Sequence, residues 1–224
     1  MKKVLFLNFL IFFVWNLSAQ KDSLQLGDRY AEDQIYASIS YAQFFNQPKD
    51  ISRSDFSYAI SIGFIKDIVL NKRGNISFAI GIGYGFDFFN HELKVEEINN
   101  ATVFSNSSIR STNIFKSHNL EFPFELRLRT STARKYDFWR IYGGVKFLYN
   151  LSNQFEFVEN TTNYRYQNVS SYNKFQYGLS LSAGYDEVNI NFFYNLTPIF
   201  TNATISGVAI DSSILKFGLI FYIL

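Results

Sequence analysis

The sequence predicts an all-β protein, an eight-stranded antiparallel up-and-down transmembrane β-barrel with long outer loops and short periplasmic turns. Three observations point to this fold. Eight segments after residue 33 alternate large apolar residues with small or polar ones, and the connections between them alternate in length. The small and polar set contains few charges, which distinguishes a lipid-facing barrel from a soluble one with a charged exterior.

The segment 76–88 shows the alternation most clearly. Its even positions, from Ile76 to Phe88, are large and apolar, whereas its odd positions, from Ser77 to Asp87, are small or polar. Successive side chains of a strand point to opposite faces, so this segment has one apolar face. A helix would scatter the same residues around its axis, and the three glycines of the segment would destabilise it.

Seven further segments follow the same pattern, the first two more weakly. They are 35–44, 56–68, 120–129, 139–150, 175–185, 188–196 and 215–223. Their lengths are close to the roughly 9–11 residues with which a tilted strand crosses a bilayer. Long connections (45–55, 91–117, 151–173 and 197–212) alternate with short ones (71–75, 131–137 and 186–187). Bacterial outer-membrane barrels combine long outer loops, short periplasmic turns and an even number of strands.

The polar face decides between a membrane barrel and a soluble one. A lipocalin-like barrel points apolar residues inward and carries charge outside, but Asp87 is the single charge on the polar face of 76–88. We therefore predict a membrane barrel, with a soluble ligand-binding barrel as an alternative. Inward charges of a barrel pair to offset their desolvation. The predicted lumen network comprises Glu121, Glu125, Arg127, Arg129, Arg140 and Lys146. The lumen should be closed by this network together with Tyr36, Tyr142, Phe193 and Tyr222.

The first 19 residues have the layout of a cleaved secretory signal. Lys2 and Lys3 precede an apolar run over 4–15, and Ala19 provides a small residue before the cleavage point. This run is shorter than the roughly 20 apolar residues of a spanning helix. The sequence thus predicts a signal peptide over 1–19, a short periplasmic segment over 20–33 and an outer-membrane barrel over 34–224.

Charge and cysteine content exclude several classes of protein. The chain has 21 Lys and Arg and 19 Asp and Glu, and Lys2 and Lys3 leave with the signal, so the mature chain is formally neutral. A nucleic-acid-binding protein would show a basic excess. With no cysteine, a disulfide-stapled small domain and a cysteine-based metal site are excluded as well.

Three segments resemble a known family. The stretch 120–126 (LEFPFEL) resembles the fourth strand of the PorT-like outer-membrane β-barrels of Bacteroidota, including a proline at the place of Pro123. The stretch 142–146 (YGGVK) resembles their fifth strand, and 175–194 resembles the hairpin before their last strand. The C-terminal residues Lys216, Gly218 and Phe221 resemble the signal read by the outer-membrane assembly machinery. The resemblance implies a barrel over 34–224 whose partners are outer-membrane lipid and this machinery.

No catalytic residue, metal ligand set or cofactor motif is predicted. The two histidines, His91 and His118, bracket the second long loop and are expected to be solvated rim residues that lie near each other. A metal site needs three or four ligands, and this loop supplies too few. No serine stands out as a nucleophile beside either histidine.

The third long loop is the predicted binding surface. Its aromatic and basic side chains suit contact with carbohydrate or protein, although the same residues can extend the strands as a hairpin above the membrane. This candidate surface consists of Tyr164, Arg165, Tyr166 and Tyr172. The sequence therefore predicts a non-enzymatic outer-membrane barrel whose surface loops serve binding or interaction. An extracellular or periplasmic protein is one candidate partner, and its identity stays open. Two further functions stay open for the same barrel: an outer-membrane hydrolase or acyltransferase, and a small channel.

Overall fold

The computed structural model describes residues 33–48, 51, 56–99, 101–106, 113–130, 139–159 and 161–223. The predicted signal peptide and nearly all of the predicted periplasmic segment over 20–33 lie outside these ranges. Within them, no helix is both long enough and apolar enough to cross a membrane.

Eight antiparallel strands form a closed barrel in the described part of the chain. They are β1 (Gln34–Phe45), β2 (Tyr58–Val69), β3 (Ile76–His91), β6 (Asn113–Arg129), β7 (Trp139–Glu159), β9 (Phe175–Tyr185), β10 (Val188–Asn195) and β13 (Ser213–Ile223). Their order in the sheet is β6-β3-β2-β1-β13-β10-β9-β7, and the pairing of β6 with β7 closes the ring. The predicted fold class is confirmed.

Five shorter strands lie in the outer connections. They are β4 (Leu93–Ile98), β5 (Ala101–Asn106), β8 (Thr162–Gln167), β11 (Thr204–Ile205) and β12 (Val208–Ala209). β4 pairs with β5 and β11 pairs with β12, each as a separate hairpin, whereas β8 pairs with the end of β7. The loop predicted over 91–117 is therefore largely strand in its described part. In 151–173 the alternative that the residues extend the strands as a hairpin is confirmed by the pairing of β7 with β8.

The two faces of the barrel wall follow the alternation of the sequence. Leu126 on the outer face is 50% exposed, whereas its neighbour Arg127 points inward and is 0% exposed. Aromatic pairs mark both ends of this outward apolar surface, with Trp139 and Tyr185 at the periplasmic end and Tyr58 and Phe88 at the outer end. Aromatic side chains favour the interfaces between lipid and water, so these pairs delimit the membrane-spanning part.

Pro123 does not interrupt the barrel. It lies within β6, and the register between β3 and β6 is the same on both sides of it, with Ile80 opposite Phe124 and Gly83 opposite Glu121. A proline cannot donate to the ladder of its strand. Pro123 is inward-facing, and a Cβ atom on the neighbouring Gly81 would lie 2.9 Å from Pro123 Cγ, so the absence of a side chain at Gly81 makes room for the ring.

A β-bulge in β7 exchanges its two faces above the membrane. The register between β6 and β7 shifts between His118 and Asn119, because His118 faces Ser152 and Asn119 faces Asn150, which leaves Leu151 as the extra residue. One extra residue in a strand reverses the direction of every side chain beyond it. Phe155 and Phe157 are consequently buried inside the barrel and are not exposed on the hairpin that β7 forms with β8.

Candidate functional site

The lower lumen holds a cluster of charged side chains from β2 and β6. Arg127 Nε donates to Glu125 Oε2 at 3.0 Å, and Arg127 Nη1 lies 3.5 Å from Asp67 Oδ1. Arg129 Nη1 lies 2.6 Å from Asp67 Oδ2, and Ser77 Oγ donates to Asp67 Oδ1 at 2.8 Å. The Arg127 guanidinium also lies 4.5 Å from the centre of the Tyr142 ring, close enough for a cation–π interaction.

The middle of the lumen is organised around Glu121. Lys146 Nζ donates to Glu121 Oε2 at 2.9 Å, Tyr36 Oη donates to the same oxygen at 3.2 Å, and Ser61 Oγ donates to Glu121 Oε1 at 3.0 Å. These partners come from β7, β1 and β2, so the carboxylate of Glu121 on β6 joins both sides of the lumen. A buried carboxylate with this set of donors is compensated for its loss of water.

The upper lumen contains an ion pair between Asp87 and Lys216. Lys216 Nζ lies 2.5 Å from Asp87 Oδ1, while Asn119 Nδ2 and Ser117 Oγ donate to Asp87 Oδ2 at 3.2 and 3.3 Å. Asp67, Asp87 and Lys216 were missing from the predicted network. The sequence does indicate that these three residues face the lumen, since each lies on the small or polar face of its strand.

All six residues of the predicted lumen network are buried inside the barrel. The structure brings Glu121 together with Lys146 and Glu125 together with Arg127. Arg129 contacts Asp67 and the carbonyl of Gly74, near the periplasmic end. Arg140 lies opposite Arg129 in the pairing of β6 with β7, and its Nη1 donates to the carbonyl of Asp186 in the turn between β9 and β10.

The space left in the charged lumen is small. A cavity of about 10 Å³ lies between Glu121, Lys146 and Lys216 and is also lined by Ser38, Ser61 and Asn191. A single water needs roughly 10–15 Å³ on this measure. At the level of Glu121 the lumen is therefore filled by its own side chains, as expected for eight strands.

A stack of phenylalanine rings fills the outer part of the barrel, above the membrane-spanning segments. The ring centres of Phe44 and Phe89 are 4.4 Å apart, those of Phe89 and Phe115 are 5.5 Å apart, and those of Phe115 and Phe155 are 4.5 Å apart. Each pair is nearly parallel. The rings come from β1, β3, β6 and β7 and form the centre of an apolar core that includes residues of the outer connections. Apolar residues thus point outward in the membrane and inward above it.

The two histidines lie on opposite faces of the wall and do not approach each other. His91 packs edge-on against Phe44 and Phe155, inside the phenylalanine core, and its burial lowers its pKa to about 3. His118 points outward, with Nδ1 2.5 Å from the hydroxyl of Tyr84. The expectation that the two histidines are solvated neighbours was wrong. His91 and the residue paired with His118 are an odd number of positions apart on β3, so the two histidine side chains lie on opposite faces. Among the described residues, no group of three or more His, Cys, Asp or Glu side chains is placed to hold a metal.

The predicted loop surface is only partly exposed. Tyr164 and Arg165 on β8 are exposed and Tyr166 is half-buried. Tyr172 is wrongly included, because it is 4% exposed and packs against Phe115 and Phe155. An isolated backbone bridge joins Tyr172 to Phe200, and the two rings lie edge-on with their centres 6.2 Å apart.

The residues of the predicted assembly signal lie on both faces of β13. Lys216 and Gly218 face the lumen, and a Cβ atom at Gly218 would clash with the Ile39 carbonyl oxygen of β1. Phe221 lies on the outer, lipid-facing side of the strand. Lys216 and Gly218 therefore also have roles in packing the folded barrel.

These features define the class of the protein. A closed antiparallel barrel with an apolar exterior, aromatic ends and a charged, filled interior is a transmembrane β-barrel of the outer-membrane type. Residues 18–201 match the family model described as "Outer membrane protein beta-barrel domain", and the chain belongs to this family.

The solved structures that are similar to this chain include one from Yersinia pestis. The crystal structure of Ail, the attachment invasion locus protein of Yersinia pestis, is similar with a TM-score of 0.39 and 9% sequence identity, over 86% of this chain and 97% of that chain. No curated protein matches the sequence.

Proposed function

We propose that this protein is a non-enzymatic outer-membrane barrel that acts by contact through its outer hairpins and does not conduct solutes. One observation carries the proposal: side chains occupy the interior both within the membrane-spanning part and above it. Charged pairs occupy the membrane-spanning lumen and stacked phenylalanine rings occupy the outer end. The charges of these pairs bind each other, which does not favour a wet path along the lumen.

The outer hairpins carry the apolar surface that such a role requires. Exposed apolar side chains occur on three hairpins, at Ile98 and Val103 of β4–β5, Val158 and Tyr164 of β7–β8, and Val208 of β11–β12. They lie beyond the aromatic end of the membrane-spanning part, so lipid does not cover them. Exposed aromatic and apolar groups among polar ones are typical of protein interfaces. The partner is therefore proposed to be a protein at the cell surface.

An outer-membrane hydrolase or acyltransferase is the less favoured function. Nucleophilic catalysis by a serine needs a histidine within hydrogen-bond reach of the hydroxyl. In the described part of the chain, the ring of His91 contacts phenylalanine rings and His118 contacts Tyr84. These contacts do not place either histidine ring to activate a serine hydroxyl.

We also propose a narrower family and a route of export. The resemblance of 120–126 and 142–146 supports membership of the PorT-like barrels of Bacteroidota. The charge pattern of residues 1–19 supports export with cleavage after Ala19. Sequencing the N-terminus of the protein purified from outer membranes tests this cleavage, which predicts Gln20 as the first residue.

Site-specific photo-crosslinking in intact cells tests the contact function. A photoreactive amino acid replaces Tyr164, and a matched variant carries it at Phe157, which pairs with Tyr164 across the same hairpin but is buried. We expect an adduct of defined mass at Tyr164 and none at Phe157. Absence of adducts at Tyr164, Ile98 and Val208 alike would overturn the proposal.

A further inference from the structure

Strand β8 has an open edge above the membrane. It is the last strand of the nine-stranded order and pairs only with β7 in the described part of the chain. Five of its six residues are exposed and the sixth is half-buried. In an antiparallel strand, alternate residues direct their N–H and C=O groups to one edge. Half of the β8 backbone groups thus point away from β7.

This edge lacks the features that usually protect an exposed strand. Natural proteins blunt such edges with proline, lysine, bulges or very short strands. β8 has six residues in unbroken register with β7, contains no proline or lysine, and includes Thr162, Tyr164 and Tyr166, which favour strands. Its one charge, Arg165, already pairs with Glu156, with 3.0 Å between Arg165 Nε and Glu156 Oε1.

We infer that β8 receives an extended segment of another protein as an additional antiparallel strand. The inference rests on the proposed contact function and specifies the form in which the partner binds. Strand addition gains affinity from backbone hydrogen bonds and specificity from alternate side chains. Here the side chains of Tyr164 and Tyr166 lie on one face of β8, together with Phe157, and Arg165 lies on the other.

The side chains of β8 define the chemistry of that segment. Cross-strand neighbours on one face interact directly, so apolar or aromatic residues are favoured opposite Tyr164 and Tyr166. The Arg165 side chain remains 57% exposed despite its ion pair, so an acidic residue is favoured between them. The protein already shows this pairing, because Phe155, Glu156 and Phe157 of β7 face Tyr166, Arg165 and Tyr164.

A second copy in the same membrane does not fit this edge. Antiparallel pairing of two identical strands requires a two-fold axis perpendicular to the strands. Two barrels inserted with the same orientation are related by an axis along the membrane normal, which leaves their β8 strands running in the same vertical sense. The occupant is therefore a separate polypeptide that approaches from outside.

A peptide copied from β7 provides the probe. Residues 152–159 (SNQFEFVE) contain the required alternation, and a labelled peptide of this sequence is titrated onto the full protein refolded in detergent micelles. We expect saturable binding, and amide hydrogen exchange measured by NMR should slow at alternate residues of β8. Absence of binding up to about 1 mM peptide, or binding without protection of β8, overturns the inference.

A charge exchange makes the test specific. Arg165→Glu should weaken binding of this peptide at least about fivefold, and replacing the peptide's central glutamate by lysine should restore it. Lys116→Glu is the matched control, because Lys116 Nζ lies 3.5 Å from the same Glu156 but sits on β6, away from the edge. Binding of the peptide to the Lys116→Glu variant should be unchanged. A retained heat-dependent shift in gel mobility shows that each variant is folded.

Two results separate this inference from the proposed function. Persistent crosslinks at Tyr164 together with failed peptide binding reject strand addition but keep a contact function. Clustering of protein-bearing vesicles without peptide, with protection of β8 in the clusters, identifies a second copy on a facing membrane as the occupant and contradicts the inference.

Discussion

Lys216 and Asp87 form an ion pair across the barrel lumen, with 2.5 Å between Lys216 Nζ and Asp87 Oδ1. Lys216 lies on β13 and Asp87 on β3, and these strands are separated in the sheet by β1 and β2. Both side chains are buried. The pair therefore links parts of the wall that are not neighbours and depends on closure of the barrel.

Removing one partner of this pair should destabilise the protein strongly. Asp87→Asn leaves the ammonium of Lys216 buried without its counter-charge, and such a change costs about 3–5 kcal/mol. Urea unfolding in liposomes, followed by the fluorescence of Trp139, measures the free energy of unfolding. Lys66→Met is the control, because Lys66 pairs with Asp33 on the exposed surface and should contribute at most about 1 kcal/mol. Equal losses in the two variants would contradict a buried pair.

The orientation of the wall predicts the effect of a charge on the lipid side. Ile82 is 53% exposed and lies near the middle of the membrane-spanning part of β3. Ile82→Arg should cost about 2–4 kcal/mol, because a charge near the midplane of the bilayer is poorly solvated. Ile82→Phe should be nearly neutral at the same position. A tolerated arginine would show that the inner and outer faces are exchanged.

Two adjacent glycines should differ sharply in their tolerance of alanine. A Cβ atom at Gly144 would clash with the carbonyl oxygen of Phe124 on β6, whereas the nearest atom to a Cβ at Gly143 is 3.7 Å away. Gly144→Ala should therefore cost at least about 1–3 kcal/mol through overpacking, and Gly143→Ala should leave stability unchanged. The folded fraction of each variant, read from unheated gels, compares the two substitutions. A normal yield for Gly144→Ala would contradict the close approach of β6 and β7.

Burial of His91 should make the protein sensitive to acid. Its pKa in the folded protein is about 3, well below the ordinary value of 6.5, so the unfolded chain binds a proton as the pH falls below 6.5 while the folded protein does not. The contribution to stability is complete above pH 6.5 and is lost progressively toward pH 3. Between pH 7 and pH 5 the loss should be about 2 kcal/mol.

The variant His91→Phe should remove this part of the pH dependence. Phenylalanine keeps an aromatic ring in the core but binds no proton. Urea unfolding of both proteins at pH 7 and pH 5 gives the difference directly, since the carboxylates titrate alike in each. An identical pH dependence in the two proteins would show that His91 is solvated.

The membrane-spanning part of the fold could be predicted from the sequence almost completely. Alternation alone placed Glu121, Arg127 and Lys146 inside and Leu126 outside, because the two environments of a barrel wall differ in polarity. A prediction from alternation assigns the wrong face to every residue beyond an insertion in the strand, however. The single extra residue Leu151 reversed the faces beyond it and moved Phe155 into the core.

The partners within the lumen could not be predicted. Which acid meets which base depends on the order and register of strands that are distant in the chain, as Asp87 and Lys216 show. The inward position of Asp67 could have been predicted from the alternation. Lys66 occupies the outer face of β2, so its neighbour Asp67 lies on the inner face. Tyr172 was misplaced because its bridge to Phe200 is a tertiary contact without a sequence pattern.

Single-channel recording on the refolded protein in planar bilayers tests the closed lumen most directly. We predict no stable conductance steps, because the Glu121–Lys146, Asp67–Arg129 and Asp87–Lys216 pairs occupy the lumen and the phenylalanine stack lies above them. The cavity beside Glu121 has room for about one water. Bilayers with heat-unfolded protein provide the control. Reproducible steps that disappear on replacing Arg127 or Arg140 would show an open, charge-lined path and contradict the closed lumen.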